Sequence, residues 1–121
     1  MNLHSIDADA LLFLHQESLG TERPVCDRGL LNAALAYPLV QAETASVDVA
    51  MLAAAYAFGV LKHRPFTRNN ESAAFIAMGL FLYANDWRLT ASPEEATDML
   101  RCAAAGTVDE AALANWIRAN L

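Results

Sequence analysis

Two apolar, alanine-rich segments, Val47 to Leu61 and Ala73 to Ala84, stand either side of one polar stretch, Lys62 to Ser72. Each is too long and too poor in β-branched residues to be a strand, so both read as helices. Met51, Leu52, Ala55, Phe58 and Val60 cover nearly every side of the first. A helix that is apolar all round belongs in the middle of a fold. The second carries Phe75, Ile76, Met78, Leu80, Phe81 and Leu82, and Gly79 in its middle predicts a tight helix crossing. With 121 residues the chain makes one domain, 1–121, with one core. The expected architecture is all-α: a compact bundle of about six helices, with the polar loop between the two central ones.

The flanking chain reads as further helices. Ile6 to Gly20 is one, capped by Asp7, with Ala10, Leu11, Phe13, Leu14 and Leu19 as its apolar stripe. His15, among those leucines, reads as a hydrogen-bonded structural histidine. Asp27 caps a short helix over Arg28 to Ala36, which Pro38 is expected to stop, leaving Leu39 to Ala45 as a linker. Ser46 is the expected cap of the first central helix, with Asp48 in its first turn. Ser92-Pro93-Glu94-Glu95 opens a helix that Gly106 closes. Thr107-Val108-Asp109-Glu110 repeats the capping box before a last helix through Leu113, Trp116 and Ile117.

Charge removes several function classes. The net charge is −6 and Lys62 is the single lysine, so no basic face is available to displace the counterions of a nucleic acid. A basic or neutral partner is expected, and no direct contact with DNA. The apolar run Val47 to Leu61 contains Asp48 and is too short to span a bilayer. No basic region precedes the first apolar segment, so a cytoplasmic protein is expected, with Cys26 and Cys102 as buried free thiols.

The loop is where a small helical protein would place a site. It closes on Asn69-Asn70, and asparagine is a good helix N-cap, so the next helix turns its free N–H groups toward the loop. That is the geometry of anion binding.

Read as x-P-F-x-x-x-N followed by A-F, the loop resembles the signature of the Fic/Doc (Fido) family, in particular its death-on-curing toxins, H-P-F-x-D-G-N-K-R-T-A-F. Pro65, Phe66, Asn70, Ala74 and Phe75 fall on matching positions. A register shifted by one, with His63 on the histidine and Asn69 on the asparagine, loses the proline, the phenylalanine and the A-F pair. The phrase Asp27-Arg28-Gly29-Leu30-Leu31-Asn32-Ala33-Ala34-Leu35-Ala36-Tyr37-Pro38 is similar to the family's D-x-G-L-L-x-x-A-L-A-x-P segment. The likeness runs over essentially the whole chain and implies the Fic/Doc fold.

The resemblance also implies an activity: transfer of a phosphoryl or AMP group from ATP or another nucleotide, with Mg²⁺, to a hydroxyl of a target protein such as a translation factor. In the family the histidine is the general base, the aspartate holds the metal, and lysine and arginine bind phosphates. Here those positions carry Arg64, Arg68, Glu71 and Ser72, and the glycine position carries Asn69. A guanidinium does not lose its proton near neutral pH, so Arg64 cannot be the base. Arg68 repels a cation that wants hard oxygen ligands, and Glu71 opposes an incoming polyphosphate. Ser72 offers one hydrogen bond where arginine would give a charged fork. The anion- or nucleotide-binding loop is therefore Arg64, Arg68, Asn69, Asn70, Glu71 and Ser72, with no catalytic residue assigned and no metal ligand.

The resemblance leaves two possibilities. One is a degenerate active site, a pseudoenzyme of a toxin–antitoxin module that acts by protein binding. Its partner would be a small antitoxin whose helix docks in a groove. The other is an active toxin in which His63, one position from the motif, serves as base. One residue along a helix turns a side chain by about 100°, which weighs against that substitution.

Overall fold

The computed structural model describes residues 3–19, 25–44 and 47–121. Six α-helices account for most of them: α1 (Ala8–Leu19), α2 (Arg28–Thr44), α3 (Val49–His63), α4 (Asn70–Ala84), α5 (Pro93–Ala105) and α6 (Glu110–Ala119). No helix is long and apolar enough to cross a membrane among the described residues.

Helix α3 is the axis of the bundle, as its all-round apolar surface requires. It packs against α2, α4 and α6, and α4 in turn carries α1 and α5. Its alanines, Ala50, Ala53, Ala54 and Ala57, are buried with Leu52, Tyr56 and Val60, while Met51 is partly in water. Small side chains let neighbouring helices approach closely, and the larger ones fill the gaps between them. Tyr56 is buried against Phe81 of α4, ring centroids 4.9 Å apart, and its hydroxyl accepts from the Ile6 amide.

Several helix ends differ from the sequence expectation. Pro38 does not stop α2; it is buried within it, and the helix continues through the expected linker to Thr44. Proline has no N–H for the carbonyl four residues earlier, that of Ala34. That carbonyl faces Gly59 of α3, where a Cβ would stand 2.3 Å from the oxygen. The tight crossing is therefore at Gly59. Gly79, expected to mark one, has nothing within 4 Å of its Cβ position.

Asp48, not Ser46, caps α3, accepting from the Met51 amide at 2.8 Å; Ser46 lies outside the described residues, as does Gly20. The Asp48 carboxylate also takes a forked pair of bonds from Arg118 on the last turn of α6, at 2.7 and 3.0 Å. The guanidinium holds Asp48 below the usual carboxylate range. Asp109 rather than Thr107 caps α6, because the Thr107 hydroxyl is given to the Cys102 carbonyl at the end of α5. The Ser92–Glu95 capping box and the Gly106 stop are formed as expected.

On α1, Leu11 and His15 face the core, but Phe13 and Leu14 point to solvent, so the apolar stripe is narrower than the sequence implies. Cys26 is half-buried, with burial raising its thiol pKa, and Cys102 is exposed on α5 rather than buried.

Candidate binding site at the α3–α4 loop

The loop begins where α3 ends. Arg64 caps α3 in the left-handed conformation, φ 47°, its amide returning to the Val60 carbonyl. An L side chain rarely adopts that backbone, so Arg64 is held there by the anchored residues beside it. Pro65 and Phe66 are buried at the centre of the loop.

Three contacts fix Phe66 and its neighbours. First, the chain before α2 runs alongside: Asp27 donates to the Pro65 carbonyl at 2.8 Å and Thr67 to that of Val25 at 3.0 Å. They form an isolated antiparallel bridge at Cys26 and Phe66. Second, His15 of α1 is buried with its ring edge-on to Phe66, centroids 4.4 Å apart. Third, Asn70 closes on Phe66 from below.

Asn70 does not cap α4. It is the first residue of that helix, buried, and its side chain accepts from the Phe66 amide at 3.1 Å and donates to the Phe66 carbonyl at 2.8 Å. A primary amide satisfies both backbone groups at once, as a neighbouring strand would. The cap position belongs to Asn69, left-handed at φ 63°, whose side chain makes no capping bond. Asparagine tolerates that conformation better than most residues.

The charged side chains lie outside this buried clamp. Arg64, Arg68 and Glu71 are exposed, and Asn69 and Ser72 are half-buried. Among the described residues no three His, Cys, Asp or Glu side chains converge. His63 is turned back along its own helix, with Nδ1 2.8 Å from the Gly59 carbonyl. A carbonyl only accepts, so Nδ1 carries the proton and Nε2 alone is left as a basic nitrogen.

His15 of α1 meets the loop, although its sequence context placed it in the core with no link to the motif. Burial lowers its pKa from the usual 6.5, opposed by a backbone hydrogen bond with Asn69. The i, i+4 pairing of Leu11 with His15 pointed inward, but nothing local named Phe66 as the ring it meets.

The elements that brace the loop also carry apolar side chains open to water. Phe13 is 62% exposed and Val25 70%, and Leu14 and Leu30 are also open to water. Val25 is hydrogen-bonded to the loop, and Phe13 and Leu14 share a helical turn with His15 beneath it. The site is thus a firmly held polar loop with two exposed guanidinium groups, braced by elements that also expose apolar side chains. Neither a protein-family model nor a curated protein matches the chain.

Proposed function

We propose that this is a death-on-curing-like protein of the Fido type that works by binding a partner protein. The observation that carries the reading is the combination at the loop: a firmly held Pro65-Phe66-Asn70 scaffold with Arg64 and Arg68 exposed above it. The scaffold is what the motif needs for its shape, and the two cations are the wrong groups for its chemistry.

The residues do not fit a magnesium nucleotide. Arg68 stands where a hard oxygen ligand is required, Glu71 opposes the phosphates at the first turn of α4, and Arg64 cannot accept a proton. His63 stands one position from the motif's histidine and gives its Nδ1 proton to the Gly59 carbonyl of its own helix. What remains suits a partner: Phe13, Leu14, Val25 and Leu30 offer an apolar margin to the face of an amphipathic helix. Acidic side chains on that helix would meet Arg64 and Arg68. The occupant in this reading is a small antitoxin-like protein.

Two measurements test it. Calorimetry with ATP and Mg²⁺ should show no saturable heat for the native chain, and labelled nucleotide should leave no mark on proteins of a lysate. Label transfer by the native chain that disappears in His63→Ala would replace this reading with an active transferase. The combined variant Arg64→His, Arg68→Asp, Glu71→Lys and Ser72→Arg should gain nucleotide binding on the same scaffold. A small protein encoded beside this one should bind the native chain, and Phe13→Asp with Val25→Asp should weaken it at least tenfold.

A further inference from the structure

We infer that a pocket at the far end of α4 from the motif loop binds a small organic cation of the alkylammonium class. The starting observation is Gly79. Glycine in mid-helix costs about 1 kcal/mol relative to alanine, and here no neighbour requires it, since nothing lies within 4 Å of its Cβ position. Its effect is to leave a pit in the helix surface.

That pit forms part of the wall of a pocket of 730 Å³, shared with Tyr83, Asp86, Trp87 and Arg88. Tyr83 is 80% exposed and Trp87 47% exposed. Two large aromatic side chains are left in water beside this hollow, whereas rings such as Tyr56 and Phe81 are closed into the core. The turn that carries them is well fixed. Asn85 and Trp87 donate to the Leu82 carbonyl and Asp86 donates to that of Tyr83. The Asn85 side chain also ties the turn to the His4 backbone and the Phe81 carbonyl.

Asp86 projects from this turn in the left-handed conformation, φ 64°, and its carboxylate makes no ion pair or hydrogen bond with another described residue. Aromatic faces beside a carboxylate attract an organic cation, by the ring quadrupole and by direct charge. The net charge of −6 adds a favourable field. Arg88 on the same wall repels any cation, least strongly a monovalent one whose charge is spread over several carbons. A methylated ammonium fits these terms because it is weakly hydrated and rests against a ring face.

The experiment uses tetramethylammonium, with inorganic phosphate as the opposing probe, on the full chain. Saturation-transfer NMR on the ligand methyl protons reports contact directly, and Trp87 fluorescence in a Trp116→Phe background reports occupancy. The expected result is saturable tetramethylammonium binding, weakened at least tenfold by Trp87→Ala and by Asp86→Asn. Gly79→Met, which fills the pit, should abolish it. Asparagine keeps the left-handed turn, so a loss in Asp86→Asn reads charge rather than unfolding, and circular dichroism checks the other variants. Absence of saturation, an equal response to phosphate, or native affinity in Asp86→Asn would each overturn the inference.

Discussion

The carbonyl oxygen of Ala34 occupies the space that a side chain on Gly59 would enter, 2.3 Å from its Cβ position. It is also the oxygen that Pro38 leaves without an intrahelical donor. The proline and the glycine therefore work together: one frees the carbonyl, and the other lets α3 come against it.

Gly59→Ala should destabilise the protein although alanine is the better helix former. The gain in propensity is about 1 kcal/mol, whereas forcing a methyl onto buried backbone costs roughly 1–3 kcal/mol and moves the helices apart. Gly79→Ala is the matched control and should stabilise by about 1 kcal/mol. Chemical denaturation of both variants checks the pair; equal signs would refute the crossing.

Asn70→Ala should loosen the motif loop. Two buried backbone groups of Phe66 lose their partners, at about 1–3 kcal/mol each. Asn70→Asp keeps the acceptor but sets an anion against the Phe66 carbonyl, and it should be no better. Amide hydrogen exchange at Phe66 is the sensitive measurement, since its N–H is the one released.

Much of this architecture is legible in the sequence, for identifiable reasons. The apolar runs of α3 and α4 exceed strand length, and the Ser92–Glu95 box names its own helix start. Pro38 misleads because its local rule, that proline ends a helix, yields to burial: the ring packs in the core while α3 covers the orphaned carbonyl. Asn70 misleads in the opposite way. Its type is right for a cap, but a buried loop with unpaired backbone groups needs it more than the helix end does. The bridge from Cys26 to Phe66 joins residues 40 positions apart, and no periodicity encodes such a contact. Nor does any local pattern show that Tyr83 and Trp87 stay in water.

Acid should weaken the fold first through His15. Its pKa is lowered by burial from 6.5, so the unfolded chain takes up a proton before the folded one does. Stability is therefore complete above pH 6.5 and falls as the pH drops from there toward the folded value. Thermal melts between pH 8 and pH 5, roughly spanning the ordinary histidine range, should show this slope in the native protein. His15→Gln should flatten it.

A second acid step belongs to Asp48. The Arg118 guanidinium, then the Met51 amide, hold its carboxylate ionised below the usual range. Its contribution is present at neutral pH and disappears as the pH falls through that lowered value. Asp48→Ala should cost about 1 kcal/mol as a lost cap, and Arg118→Ala should leave the cap and the Met51 bond but shrink the downward shift. NMR titration of the Asp48 carboxylate in the Arg118→Ala background measures this directly.

Burial of Tyr37 and its bond to Glu110 push the phenol up to about 12. Near-ultraviolet titration should therefore show Tyr37 ionising late, together with the buried Tyr56 that burial also raises, and Glu110→Gln should bring the Tyr37 step earlier. Loss of that late step without any substitution would mean that α2 and α6 had parted.

The motif loop is fastened from α1, from the chain ahead of α2 and from α4 before anything docks there. A visitor to that surface need not freeze a floppy segment, so encounter and capture merge into one kinetic step with little entropic resistance. Association would then run at a rate set by diffusion and surface charge, and the sign of its salt dependence would report the partner's charge without any change in the shape of the complex.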